Sequence, residues 1–216
     1  MNKRTYIVET LKNYIRKTEF CRYLMHRRSL RELAEWKIAG RPSPPPYSIK
    51  HRAILAYSDV YDLHVFVETG TFYGTTADAV KPFFEEIYTI ELDPLLYAVA
   101  SKRFDYDAHV KVFHGDSGKE LGTVMRLINR PSIFWLDAHY SAGVTARGDK
   151  DTPILEELDH ILDSPDMGHV ILIDDMHEFG ANPAYPTIEQ LTRFVHSKRT
   201  TLKVAARHNI IRIVPE

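Results

Sequence analysis

Asp137-Ala138-His139 and Asp175-Met176-His177 each follow an apolar run, and Asp174 stands beside the second element. Carboxylate oxygens and imidazole nitrogens converging from two loops make a donor set for a divalent cation. Mg²⁺ or Mn²⁺ is expected if Asp137, Asp174 and Asp175 dominate, and Zn²⁺ if both histidines ligate. Without a cation, His139 or His177 would serve as general base, because an ordinary imidazole pKa of about 6.5 suits proton removal at neutral pH. The same residues also have a plainer use, in which Asp137 touches substrate or cofactor, Asp174 caps a helix and the histidines line a pocket.

A second group lies upstream. Glu68-Thr69-Gly70-Thr71-Phe72-Tyr73-Gly74 is a turn in which glycine permits positive φ and lets a ligand approach the backbone. It lacks the lysine and spacing of a phosphate-cradling NTPase loop, and Phe72 and Tyr73 break the G-x-G-x-x-G spacing of a dinucleotide site. Alone it reads equally as a tight turn. Glu91, however, lies 23 residues beyond Glu68, where an acidic side chain can accept hydrogen bonds from two ribose hydroxyls. Asp116 and Ser117 follow Gly115, and a carboxylate with a hydroxyl can read the exocyclic amine and ring nitrogen of adenine.

These residues need a scaffold that gathers them. Val65-Phe66-Val67, Ile87 to Ile90, Val110 to Phe113, Ile133 to Leu136 and Val170 to Ile173 are five short apolar runs. Helix-length intervals separate them, with helices expected over 48–61, after Gly74, and over 94–104, 117–128 and 153–163. This pattern predicts a buried parallel sheet covered on both faces, a doubly wound α/β fold. Residues 201–206 and 210–214 are too close together for a helix between them, so a terminal antiparallel hairpin follows and brings the sheet to seven strands. In open α/β sheets ligands bind outside the carboxyl ends of the strands, and each of the five runs is followed there by a carboxylate.

Taken together, Glu68-Thr-Gly70-Thr-x-x-Gly74, Glu91, Gly115-Asp116-Ser117, Asp137 and the hairpin resemble the class I S-adenosylmethionine-dependent methyltransferases over residues 48–216. The resemblance implies that Glu68, Gly70, Thr71 and Gly74 lie against the methionine part of the cofactor, that Glu91 holds the ribose, and that Asp116 and Ser117 face the adenine. Thr71 and Tyr73 depart from the common glycine-rich turn, and the E-T-G-T form is more similar to small-molecule O-methyltransferases. Metal-dependent sugar and catechol O-methyltransferases resemble this chain in carrying carboxylates after the fourth and fifth strands. The expected reaction is methyl transfer from S-adenosylmethionine to an oxygen of a small polar acceptor, a sugar being one candidate, with Mg²⁺ or Mn²⁺ assistance. A metal-dependent hydrolase-like enzyme built on the two D-x-H elements and a non-catalytic cofactor-binding module are the competing readings.

At 216 residues and 25.0 kDa, with 44% hydrophobic and 26% charged residues, the chain has room for one domain and a short appendage. Residues 1–41 hold 11 basic and 4 acidic side chains in a protein of net charge −1. Apolar spacing there predicts two amphipathic helices, around Ile7 to Ile15 and Leu30 to Trp36, with basic outer faces. Such faces could meet nucleic acid, an anionic membrane surface or an acidic partner, or serve as solvated faces or pair two subunits in a homo-oligomer; no aromatic and basic alternation of an RNA-binding kind is seen. The prolines at 42 and 44–46 mark a stiff spacer, so the expected boundaries are 1–47 for the extension and 48–216 for the catalytic domain. The lone Cys21 cannot form an internal disulfide, and no leading signal or membrane-spanning run is seen, so a reducing, cytoplasmic setting is expected. Finally, the polar loop Tyr140 to Pro153 carries Arg147 and Lys150 and reads as a lid over an anionic or polyhydroxyl acceptor or as an ordinary connection.

Overall fold

The computed structural model describes residues 19–42, 45–137 and 152–216. Seven strands form one sheet: β1 (Val65–Thr69), β2 (Glu86–Glu91), β3 (Val110–His114), β4 (Ser132–Leu136), β5 (Val170–Ile173), β6 (Leu202–Arg207) and β7 (Ile210–Pro215). Their order is β3-β2-β1-β4-β5-β7-β6. The first five pair in parallel, whereas β7 runs antiparallel to both β5 and β6. The five expected runs lie within these strands to one or two residues, and the terminal hairpin is present.

The strands alternate their side chains between two buried faces, which explains why their sequences read as continuous apolar runs. Val65, Val67, Ile90, Phe134, Leu136, Ile171 and Ile173 face one core. Phe66, Ile87, Ile133, Trp135, Val170 and Leu172 face the other. On the first side pack α5 (Ser117–Met125), α6 (Ile154–Asp163) and α7 (Ile188–Lys198). Helix α6 does so through Ile154, Leu158, Ile161 and Leu162, a helical stripe that also carries Glu157 into the interior. The second side is covered by α2 (Tyr47–Tyr61), α3 (Thr75–Val80) and α4 (Pro94–Phe104).

Helix α1 (Glu19–Ile38) contains the second expected N-terminal helix; the first lies outside the described residues. It packs on α2. Near its end Trp36 is buried, donates its indole N–H to the Pro42 carbonyl at 2.8 Å, and meets the His208 ring edge-on at 5.5 Å. The helix expected over 117–128 stops at Met125. Helix α7 is not among the expected helices; it buries Leu191 and Val195, and a Thr187/Gln190 capping box fixes its start. No helix among the described residues is long and apolar enough to cross a membrane.

Candidate active site

The register builds the site. Thr69 pairs with Ile90 on one side and Leu136 on the other, and Leu136 pairs with Ile173. The residues that come next, Gly70, Asp137 and Asp174, are therefore neighbours on one sheet edge. The chain order reverses between β1 and β4, and that switch point is where an open α/β sheet leaves a crevice.

On the β1 side, Glu68 is buried and accepts a hydrogen bond from Thr89 Oγ1 at 2.8 Å, while the Thr71 and Thr89 hydroxyls are 2.6 Å apart. Burial pushes the Glu68 pKa up to about 8; the Asp137 and Glu91 carboxylates add to the rise, and the Thr89 hydroxyl opposes it. The turn above it needs its glycines. Gly70 and Gly74 have φ of +78° and +72°, and a Cβ on Gly74 would lie 2.7 Å from the Phe104 ring. Gly74 thus serves close packing of α3 on α4 as well as the turn.

Glu91 is held by backbone: Oε2 accepts from Phe72 N at 2.6 Å and Oε1 from Asp93 N at 2.9 Å. Burial raises its pKa against these two amides. The turn and the β2 tip are thereby tied together, with the Leu92 amide adding a third backbone bond to the carboxylate. Other carboxylates at strand ends have plain duties. Asp93 Oδ1 caps α4 through Leu95 N and Leu96 N. Asp116 Oδ1 caps α5 through Gly118 N at 2.9 Å, and the Ser117 hydroxyl bonds Glu157.

On the β4 and β5 side, Asp137, Asp174 and Asp175 can each present one oxygen so that all three atoms lie within 4.8 Å of one another. Backbone fixes this approach. Asp137 N donates to the Thr69 carbonyl and hydroxyl, both at 3.2 Å, and Asp174 N donates to Leu136 O at 3.0 Å. Asp175 has φ of 50°, a left-handed conformation that lets the chain turn directly after Asp174. Asn209, in the turn between β6 and β7, reaches Asp175 Oδ1 with its amide at 3.3 Å.

His177 stands beside the trio, with Nδ1 3.9 Å from Asp175 Oδ1. It is half-exposed, with Nδ1 2.9 Å from Asn209 Oδ1 and Nε2 3.1 Å from Glu178. His139 and the loop with Arg147 and Lys150 lie outside the described residues. Among those described, the trio contains no histidine, so its chemistry is that of hard oxygen ligands, which suits Mg²⁺ or Mn²⁺ better than Zn²⁺.

Three further residues surround the carboxylates, two of them, Glu157 and Tyr185, lining the same pocket. Lys50, buried on α2, donates to Asp174 Oδ2. Burial works against its charge, but Asp137, Asp174 and Asp175 outweigh it and raise its pKa. Glu157 is fully buried; burial pushes its pKa up to about 7 against hydrogen bonds from Ser117 and Thr69, and its Oε1 is buried without a hydrogen-bond partner. Tyr185 lines the same pocket and bonds Thr152, and burial raises its pKa. Spacing holds a trace of Lys50, which shares a helical face with buried Ile54 and Ser58: a lysine on an apolar stripe needs a buried partner. Burial also raises the Asp174 pKa, reinforced by Asp137 and resisted by Lys50.

A divalent cation fits this donor set. Asp174 Oδ1 is buried and has no hydrogen-bond partner. Three carboxylates against the Lys50 ammonium leave two negative charges when all are ionised, which one such cation would balance.

No family profile matches the sequence, and no curated protein matches it either. Solved structures do. The O-methyltransferase TomG from Streptomyces achromogenes, in complex with SAM, is 16% identical with a TM-score of 0.56, over 87% of this chain and 89% of that one. The O-methyltransferase from Bacillus cereus, in complex with SAH, is 14% identical with a TM-score of 0.57, over 86% and 90%. SAH-bound Podospora anserina methyltransferase PaMTH1 is 15% identical with a TM-score of 0.55, over 100% and 97%. With the strand order and the antiparallel β7 already established, these likenesses identify the fold of this chain as that of the class I methyltransferases.

Proposed function

We propose that the protein transfers a methyl group from S-adenosylmethionine to a hydroxyl of a small polar acceptor, with a divalent cation held by Asp137, Asp174 and Asp175. One observation carries the reading: the turn bonded to Glu91 and the three-carboxylate group sit side by side on the edge where the chain order reverses. In this reading Gly70, Thr71 and Gly74 shape the turn against the methionine part, and Glu68 lies beneath it. Glu91, oriented by backbone amides, takes the ribose hydroxyls. The Ser117 hydroxyl proton is committed to Glu157, so Ser117 and Asp116 both face the adenine as acceptors for its amine.

The acceptor occupies the pocket between Asp137, Glu157, Asp175 and Tyr185. Its walls are oxygen-rich, and unpartnered Glu157 Oε1 favours an acceptor bearing several O–H or N–H donors, as a sugar does. When bound, the cation would lower the pKa of the acceptor hydroxyl. The protein aligns that oxygen with the methyl carbon and the leaving sulfur; as the O–CH3 bond forms the S–CH3 bond breaks, S-adenosylhomocysteine leaves, and the hydroxyl proton passes to Glu157, whose unpartnered Oε1 lines the pocket.

The test is isothermal calorimetry of the full chain with S-adenosylhomocysteine, alone and with Mg²⁺, Mn²⁺ or EDTA, followed by an acceptor panel rich in polyols. Micromolar binding is expected. Absence of binding under every condition would overturn the reading, and activity that needs metal but not S-adenosylmethionine would replace it with a hydrolase.

A further inference from the structure

Asp174 is an unusual member of the carboxylate trio because its two oxygens have different fates. Oδ2 is bonded to Lys50 Nζ, and Oδ1 is buried with no hydrogen-bond partner. The two side chains are 11% and 1% exposed, so water does not readily exchange with either. Lys50 is itself held in place, with Nζ 5.4 Å from the centroid of the Tyr47 ring, one helical turn back on α2. The Lys50 ammonium on Oδ2 repels a second cation from that oxygen, so Oδ1 is the oxygen this carboxylate best offers a metal.

We infer that Lys50 is a positioning residue that keeps Asp174 a one-oxygen ligand and thereby makes the site select Mn²⁺ or Mg²⁺ over Ca²⁺. The inference rests on the cation reading above. Ca²⁺ takes six to eight oxygens and readily uses both oxygens of a carboxylate, whereas Mg²⁺ requires six ligands in near-octahedral geometry. A trio of carboxylates with Asp174 restricted to Oδ1 supplies too few oxygens to favour the larger ion. Release of Oδ2 would add a ligand that only the larger ion can use well.

The experiment is calorimetric titration of Mn²⁺ and Ca²⁺ into the full chain with S-adenosylhomocysteine present, for the wild type, Lys50→Met and Lys50→Arg, with folding checked by circular dichroism. The wild type should prefer Mn²⁺. In Lys50→Met, Ca²⁺ binding should tighten by roughly tenfold or more while Mn²⁺ changes by less than about threefold, so the preference collapses. In Lys50→Arg, the guanidinium fork can engage both Asp174 oxygens, and Mn²⁺ binding should weaken by roughly tenfold or more. If Lys50→Met does not fold, the arginine variant alone decides.

Equal tightening of both cations in Lys50→Met would show that Lys50 acts only as a charge and overturn the assignment, as would unchanged affinities or an arginine variant that behaves as wild type. A wild type that binds S-adenosylhomocysteine but neither cation would overturn this inference and the cation reading together while leaving methyl transfer standing.

Discussion

Glu68→Gln should make the protein more stable at alkaline pH, and by an amount that the structure sets. The folded-state pKa is about 8 against an ordinary 4.5, with burial the principal cause. Because it is raised, the stability linked to this proton is fully present below pH 4.5 and is lost as pH rises towards 8. At roughly 1.4 kcal/mol per pH unit, the full shift corresponds to about 5 kcal/mol. Glutamine keeps the shape and can still accept from Thr89 Oγ1, but it carries no charge to desolvate. Near pH 5 the two proteins should agree to within about 1 kcal/mol, since pH 5 is only half a unit above the unfolded-state pKa of 4.5. By pH 9 the variant should lead by about 2 to 5 kcal/mol, the lower figure allowing for local relaxation around the ionised group. Urea unfolding of both proteins at pH 5, 7 and 9 measures this directly. A stability difference that stays constant across that range would refute the argument, because only a group titrating within it produces a growing gap.

Glu91→Ala should weaken S-adenosylhomocysteine binding by about 1.5 to 3 kcal/mol through lost charge-assisted hydrogen bonds, and calorimetry showing unchanged affinity would remove the ribose assignment. Asp137→Asn and Asp174→Asn should abolish turnover while leaving the circular dichroism spectrum intact; full activity in both would remove the proposed cation site. Gly74→Ala places a methyl 2.7 Å from Phe104 at φ +72° and should cost roughly 2 kcal/mol or more, read as a lowered melting temperature. Lys81, 6% exposed and bonded to Asp78 at 3.0 Å and Asp107 at 2.6 Å, should cost about 3 to 5 kcal/mol in chemical denaturation when changed to alanine, because a carboxylate is left buried without its counter-ion.

The strands were legible because both faces of the sheet are buried, so runs such as Val170 to Ile173 carry no polar interruption. Helix α7 was not read as an element although Ile188, Leu191, Phe194 and Val195 lie at helical spacing and pack on the first core, because polar and basic residues fill the rest of its span. Strand-end carboxylates gather on one sheet edge, yet their surroundings divide in a way that spacing does not encode: Asp93 and Asp116 spend an oxygen on helix amides, while Glu68, Glu91 and Asp174 are buried. His177 has the spacing of a ligand, but the turn at Asp175 directs its ring to Asn209. Lys50 and Glu157 escaped notice for one shared reason. A charged residue on a helix is read as solvent-facing unless its partner is known, and here the partners come from distant strands and loops.

The hairpin turn at Asn209 touches Asp175, His177 and, through its carbonyl, Met176 N at 3.0 Å. The strand that follows it, β7, enters the sheet between β5 and β6 although it comes after both in the chain. During synthesis, therefore, the loop that presents two of the three carboxylates is made long before its brace. Until β7 emerges, the Val-Ile-Leu-Ile edge of β5 has no neighbour on that side, an apolar strand open to pairing with other chains. The same hairpin thus braces the loop that presents Asp174 and Asp175 and covers the apolar edge of β5.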